Sequence, residues 1–364
     1  MVFDQIRKMS NVFLKKLDAI EVDSNKCLKV RAVTSNCTAC VDACPANSIE
    51  WQVDSIHLKP SCLNCGFCTS VCPTNALKWN HPPLIQLMNQ VLRLAKKEEH
   101  VYIACPSSLE ENPQSNVIEV PCLGMVPSEF WINVGVNAPN VRVIHHSNLC
   151  QDCKMAGGEN RFMKQKKEAE SALKQTLQVC TTFIEENSQY AMDHSRRRFL
   201  TSLLEEARET NTITVKEVLK VNKTLSPFEK FDRYYQKQNE MEDMVEEVNE
   251  IKNAVVEQVL KDAVTQTDKK ALLFHAFKMN SDLQEQMTFS IPEIKESCTR
   301  CGACAFLCPT DAITLDNEDI ILSTNKCVSC HLCAEICYEK HIHMTLIKGT
   351  IFNEKFVYLL QKKE

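Results

Sequence analysis

Cysteine spacing constrains this chain more than any other feature. The 364 residues include 21 cysteines, and most of them stand in four rows. One row is Cys298, Cys301, Cys304 and Cys308, closed by Pro309, and a second follows at Cys327, Cys330, Cys333 and Cys337. Near the other end, Cys62, Cys65, Cys68 and Cys72 close on Pro73, while an incomplete row, Cys37, Cys40 and Cys44, closes on Pro45. Each complete row reads C-x₂-C-x₂-C-x₃-C, the spacing of iron–sulfur ligation. A cubane cluster needs one thiolate per iron: three close cysteines wrap a corner and the fourth comes from a distance. Two separated pairs of rows therefore predict two small modules, each built around inorganic cores, and electron transport is the function to consider first.

Composition narrows the remaining options. Hydrophobic residues make up 44% and charged residues 24%, an ordinary balance for a globular chain. With only 7 glycines among many Lys and Glu, long helices are expected. A formal net charge of −5 argues against general nucleic-acid binding, and no basic run with interleaved aromatics occurs. No apolar stretch approaches the roughly 18 residues needed to span a bilayer. The start, residues 1–26, reads as an amphipathic segment in which Phe3, Ile6, Phe13, Leu14 and Leu17 alternate with Lys and Asp, unlike a signal peptide. Cysteines at metal spacing behind such a start predict a reducing, cytoplasmic location. Ser195 to Leu200 matches a twin-arginine export signal, but it lies mid-chain and the charged stretch Leu204 to Arg208 follows. It is read as the basic start of an amphipathic helix.

Further along, residues 27–80 hold the first cysteine module, 81–155 a small α/β unit, 156–290 a helical segment, and 291–364 the second module with a tail. In the α/β unit Ile85, Met88, Val91, Leu92 and Ala95 share a helical face. The apolar runs at 101–104, 117–120 and 141–144 predict strands, and Pro127 and Ser128 open a helix. Strands alternating with helices suggest a small parallel sheet. Cys105 and Cys122 each follow a strand, and Cys150 and Cys153 follow the third. Ligands of open parallel sheets bind beyond the carboxyl ends of the strands, so these four thiols are expected at one edge. In the helical segment Ala172, Leu173, Thr176, Leu177, Cys180, Phe183 and Ile184 form one apolar stripe, which makes Cys180 a small core hydrophobe. Met241, Met244, Val248, Ile251 and Val255 recur at intervals of three and four, over too short a span for a coiled coil.

Paired C-x₂-C knuckles also make structural zinc sites. Zinc does not require four cysteines per row or a Cys-Pro close. Gly302, between the second and third thiols of its row, is expected where bulk would crowd a cluster.

The two modules resemble the bacterial two-cluster ferredoxin family, in which the fourth cysteine of each row ligates the other cluster. The resemblance implies that Cys298, Cys301, Cys304 and Cys337 hold one [4Fe–4S] cluster and Cys327, Cys330, Cys333 and Cys308 another. Tyr338 stands where the family's second proline would be. In the first module Cys62, Cys65, Cys68 and Cys44 make a complete set. The other set has Cys37, Cys40 and Cys72, with Thr34 where its first cysteine belongs. Either this set holds a three-iron cluster, or Cys27 loops back as the missing ligand; the unassigned upstream Cys27 favours the latter. Ile49, Trp51, Leu58 and Leu77 would enclose the first pair of clusters, and Ile313, Leu315, Ile321 and Leu322 the second. The central Cys105, Val120-Pro121-Cys122-Leu123-Gly124 and Cys150-Gln151-Asp152-Cys153 are similar to the delta-type iron–sulfur subunit of methyl-viologen-reducing hydrogenases. That likeness implies a [2Fe–2S] cluster on Cys105, Cys122, Cys150 and Cys153 and electron passage between a hydrogenase and a heterodisulfide reductase; zinc, or plain reduced thiols, is the alternative. The fold class expected is α+β, with two ferredoxin-like dicluster modules flanking a small α/β unit and a long helical segment.

Nothing else supplies chemistry. Neither G-x-G-x-x-G nor a Walker loop occurs, and no nucleophile–base pair is apparent. His145 and His146 lie near Cys150, but neighbours on a strand face opposite ways, so both cannot serve one site. An electron carrier or oxidoreductase subunit with about four [4Fe–4S] clusters is therefore expected, with no catalytic residue assigned. Its donor and acceptor would be redox proteins of hydrogenase-like or formate dehydrogenase-like type. Two alternatives use the central site: a catalytic oxidoreductase, in which Cys150 and Cys153 act as an open site or redox dithiol, and a redox sensor.

Overall fold

The computed structural model describes residues 19–109, 115–183 and 267–362. The amphipathic start up to residue 18, the arginine run at 196–198 and the Met241–Val255 pattern lie outside the described residues.

The first cysteine region begins with β1 (Ile20–Val22), followed by α1 (Leu28–Arg31), α2 (Ala39–Ala43), the strands β2 (Ile49–Trp51) and β3 (Ile56–Leu58), α3 (Phe67–Val71) and β4 (Leu77–Trp79). The outer strands β1 and β4 pair antiparallel, with Ile20 opposite Trp79, and β2 and β3 form a hairpin with Ile49 opposite Leu58. The helices are short for a local reason. Cys44 and Cys72 precede prolines, which disfavours helical backbone before them, and both are extended C-caps, with ψ 111° and 117°.

The last region repeats this plan. β9 (Thr288–Ile294) pairs antiparallel with β12 (Ile342–Lys348). Between them lie α10 (Ala303–Phe306), the hairpin β10 (Ile313–Asp316) and β11 (Asp319–Ser323), and α11 (Leu332–Glu335). A final strand, β13 (Phe356–Leu360), joins the free edge of β11.

Between the two regions, α4 (Leu84–Lys97) leads into a sheet of β5 (Val101–Ala104), β6 (Val117–Glu119), β7 (Val141–Ile144) and β8 (Val179–Cys180). All its pairings are parallel, in the order β6-β5-β7-β8. The helices α5 (Ser128–Asn137), α6 (Ser147–Gln151) and α7 (Gly158–Leu173) complete this unit. Its core includes Ile103, Phe130, Trp131 and Phe162, with the last three in edge-to-face contact. Then α8 (Asp268–Met279) packs on α5, where Asn133 Nδ2 donates to Leu272 O at 2.6 Å, and α9 (Asp282–Gln286) leads into β9.

Two expectations are corrected here. The apolar stripe that begins at Ala172 is not one helix up to Phe183, and Ile184 lies outside the described residues: α7 ends at Leu173, and Lys174 adopts φ 53°. Val179 and Cys180 extend the sheet instead, opposite Val143 and Ile144. Cys180 is half-buried at the sheet edge, not part of a helical core. Pairing with an open strand edge outweighed helical periodicity, because it satisfies backbone groups that a helix end leaves free. Leu315, expected among the enclosing residues, is 42% exposed, whereas Ile320 on the paired strand is buried.

Candidate metal centres

The three complete rows share a local backbone. The residue two after the first cysteine has positive φ in each: Asn64, Arg300 and Ser329. So has the residue after the second cysteine: Gly66, Gly302 and His331. These left-handed turns separate successive cysteines, and the third cysteine then enters the following short helix. Gly302 suits this position through its φ of 76°, and a Cβ there would meet only Leu315 of the protein itself, at 3.4 Å. The incomplete row has neither turn, with Thr38 at φ −123°. In all four rows the residue three after the last cysteine is again left-handed: Asn47, Asn75, Asp311 and Lys340. This turn sends a backbone N–H back to the sulfur. Ser48 N donates to Cys44 Sγ and Ala312 N to Cys308 Sγ, each at 3.2 Å, and His341 N donates to Cys337 Sγ at 3.3 Å.

All 21 cysteines are free thiols, and they converge in groups. Cys27, Cys37, Cys40 and Cys72 line one cleft with Leu28, Trp51 and Leu77. A second is lined by Cys44, Cys62, Cys65 and Cys68 with Ile49 and Leu58. Cys308, Cys327, Cys330 and Cys333 share a third with Ile313 and Leu332. Cys298 and Cys301 lie close enough to Cys304 to oppose its ionisation. Cys337 accepts its N–H bond at the neighbouring strand end, and Cys301 is the exposed member.

Burial dominates the electrostatics. It pushes the thiols of Cys40 and Cys330 up to about 12 and Cys304 to about 11, and raises Cys68 and Cys333 further, with neighbouring sulfurs adding to the rise. Backbone N–H groups act the other way, from Ala39 on Cys37, Phe67 on Cys65 and Leu332 on Cys330. The raised thiols, Cys40, Cys304 and Cys330 among them, stay protonated at neutral pH without a cation. A multivalent iron core matches their chemistry, because it turns crowded thiols into thiolates and N–H donors are already aimed at the sulfurs.

In the central unit Cys105 follows β5, Cys122 follows β6, Cys150 lies in α6 and Cys153 just beyond it. Burial lifts the Cys122 thiol to about 12, and Cys105, Cys153 and Cys150 all oppose its ionisation. The edge carries a group that the strand-alternation argument left aside: buried His145, whose Nε2 is 3.8 Å from Cys150 Sγ and 3.6 Å from Glu159 Oε1. Among the described residues, no group of three or more His, Cys, Asp or Glu is disposed to hold a single metal ion.

The groups are also neighbours. Phe67, between Cys65 and Cys68, packs against Gly158, where a Cβ would lie 2.6 Å from Cys122 Sγ and 3.1 Å from Phe67 Cζ. Cys40 opposes ionisation of Cys68, and Cys304 that of Cys333. Cys37 and Cys330 both pack against a small core of Leu28, Ala32 and Leu332. Across the same junction Arg31 Nε donates to Leu307 O and Nη2 to Phe306 O, both at 3.0 Å. No local motif foretold Arg31 or Gly158, since each matters through a partner remote in sequence, whereas the nearness of His145 to Cys150 was visible in the sequence.

A 4Fe-4S binding domain family model matches residues 60–78 and 291–314. Three curated relatives are each a "Ferredoxin-like protein in nif region". That of Sinorhizobium fredii is 40% identical over 57 residues, spanning 14% of this chain and 86% of the relative. That of Azotobacter vinelandii is 39% identical over 51 residues, 12% of this chain and 55% of the relative. That of Rhizobium leguminosarum bv. trifolii is 35% identical over 57 residues, again 14% and 86%. No solved structure matches the chain. With two [4Fe–4S]-binding regions and relatives aligned over most of their own length, the chain belongs to the ferredoxin family of iron–sulfur electron-transfer proteins.

Proposed function

We propose that the protein relays single electrons along four [4Fe–4S] clusters, two in each terminal module, as a carrier or as a subunit of a larger oxidoreductase. The observation that carries this reading is the convergence of the cysteines into quartets that each draw on two rows, or on Cys27 in place of the missing Thr34 position. The ligand sets are Cys27, Cys37, Cys40 and Cys72; Cys44, Cys62, Cys65 and Cys68; Cys308, Cys327, Cys330 and Cys333; and Cys298, Cys301, Cys304 and Cys337. A [4Fe–4S] cluster supplies one-electron redox chemistry when bound. The chain's part is to hold it, exclude water with residues such as Leu77 and Ile313, and donate N–H bonds to sulfur from Ser48, Ala312 and His341. Proximity between successive quartets supports a linear order, from the central site through Cys44's set, Cys27's set and Cys308's set to Cys298's set. The exposed Cys301 makes the last set a port for a redox partner.

At the central site, Cys105, Cys122, Cys150 and Cys153 are read as a fifth cluster site. Four mutually close thiols at the carboxyl ends of parallel strands, together with the likeness to the delta-type subunit, support a [2Fe–2S] cluster there, with zinc as the alternative. A hydrogenase-like or dehydrogenase-like partner at that end is the donor or acceptor proposed, and a reducing cytoplasm would suit 21 free thiols.

The test is iron, acid-labile sulfide and zinc per chain on anaerobically purified protein, for the unsubstituted chain and for Cys27→Ser. About 18 irons is the expected result, from four cubanes and a [2Fe–2S] cluster. About 16 would remove the fifth cluster, and about 15 would identify a three-iron set without Cys27. Zinc in place of iron and sulfide would refute the electron-transfer reading.

A further inference from the structure

One helix touches both modules at their facing clusters. The first turn of α8 carries Lys269 and Lys270, and consecutive helical residues diverge by about 100°. Lys269 Nζ donates to Ser70 O at 3.0 Å and to Cys72 O at 2.5 Å, in the first module. Lys270 Nζ donates to Thr324 O at 3.2 Å and to Cys327 O at 2.5 Å, in the second. Cys72 and Cys327 belong to the two quartets that meet across Leu28, Ala32 and Leu332.

Lys270 is the unusual member. It is only 7% exposed, and its ammonium lies 4.0 Å from the ring centre of Phe352, 5.4 Å from that of Phe274 and 5.9 Å from that of Phe289. Among the described residues neither lysine forms an ion pair with a carboxylate. A buried ammonium is costly unless its charge is matched. Carbonyl dipoles and ring faces match part of it. The anionic partner the position lacks is what a cluster bound by four thiolates would provide, just beyond the Cys327 backbone.

We propose that Lys269 and Lys270 are positioning residues that anchor the Cys72 and Cys327 backbones and raise the reduction potentials of the two facing clusters above those of the outer pair. This rests on the ligand sets proposed above. Reduction adds one negative charge to a cluster, and a fixed cation nearby stabilises the reduced form. Electrons then reside preferentially at the junction between modules, and the outer clusters act as the routes in and out. Lys269 is less buried than Lys270, so solvent screens its effect more.

The experiment is an EPR-monitored redox titration of the full chain, with iron and sulfide counted on the same samples, for the unsubstituted protein, K270M, K270R and K269M. Methionine keeps the unbranched stem in the phenylalanine cage and removes the charge; arginine keeps the charge. The variants C333S and C304S assign the second module's signals, and C40S and C65S those of the first. Expected for K270M is a full iron complement and a tenfold loss in the reduced-to-oxidised ratio of the C333S-assigned cluster, about 59 mV downward for one electron. The C304S-assigned cluster stays in place, and K270R stays near the unsubstituted values. K269M lowers the C40S-assigned cluster by less. Full iron with unmoved potentials in K270M and K269M would overturn the proposal and leave the lysines as structural braces. Should K270M fail to assemble, unmoved potentials in K269M would overturn it equally. A lack of iron in the unsubstituted protein would instead refute the ligand sets themselves.

Discussion

Gly158→Ala tests whether the central thiols and the first module share one packed boundary. Gly158 is the first residue of α7, where alanine by helix propensity alone would stabilise by up to about 1 kcal/mol. Its surroundings oppose this. An added Cβ would lie 2.6 Å from Cys122 Sγ and 3.1 Å from Phe67 Cζ, and Gly124 approaches the Gly158 backbone so closely that a Cβ on Gly124 would lie 2.5 Å from Gly158 O. Sulfur and carbon in contact prefer roughly 3.5–4 Å, so the thiol and the ring must both yield. Overpacking of this kind costs about 1–3 kcal/mol. The 2.6 Å contact places the cost in the upper part of that range, about 2–3 kcal/mol, so set against the propensity gain the net loss is about 1–2 kcal/mol, or about 2–8 °C in Tm for a unit of this size. The assay is thermal unfolding together with the visible spectrum and iron count. Gly157→Ala is the control: its φ of 80° makes alanine strained, but a Cβ there meets nothing within 4 Å. Both variants are expected to lose stability, and with a cluster at the central site as proposed, only Gly158→Ala is expected to lower the iron count. A neutral or stabilised Gly158→Ala with unchanged iron would refute the packing argument.

Other outcomes follow from single contacts. Arg31→Met removes the two hydrogen bonds to Phe306 and Leu307 carbonyls; at a half-exposed position this should cost about 1–2 kcal/mol, with hydrogen exchange faster around 28–36 and 303–307. His275 sits against Asn133, with Nδ1 3.0 Å from Oδ1, and burial holds its pKa below the ordinary histidine range, with Lys278 adding to the effect. The unfolded chain therefore takes up a proton first as pH falls, so His275 contributes stability that is present above the unfolded pKa, about 6.5, and lost as pH drops through the depressed folded value. His275→Gln should flatten the fall in Tm between pH 7 and pH 5, and an unchanged slope would count against it. Tyr338 stands 98% exposed beside Cys337, so Tyr338→Ala should change stability by no more than about 0.5 kcal/mol and leave iron content intact; iron loss would mean that this side chain shields a cluster.

What could be read along the chain was whatever is encoded within a few residues. The C-x₂-C-x₂-C spacing carries its own turns, and the family match at 60–78 and 291–314 falls on those rows. The strands at 101–104, 117–119 and 141–144 coincide with short apolar runs, because a strand buried in a parallel sheet must be apolar on both faces. Periodicity failed at Val179 and Cys180, where the free edge of β7 captured a segment whose pattern also suited a helix. It failed at Leu315 as well: that residue shares a face with buried Ile313 and with its cross-strand partner Ile320, but it lies near the Asn317–Glu318 turn and is left 42% exposed, which alternation does not record. The row beginning at Cys37 shows the boundary most clearly: the sequence alone reveals a missing ligand at Thr34, but tertiary folding brings Cys27 into the cleft with Cys37, Cys40 and Cys72. The sequence by itself determined the cysteine spacing and the left-handed turns that go with it, since those depend on local backbone chemistry. Tertiary structure alone decided which quartets are neighbours, that Lys269 and Lys270 reach two modules from one helical turn, and that Cys122 lies against Phe67, because those relations join residues far apart in the chain through packing that no local spacing records.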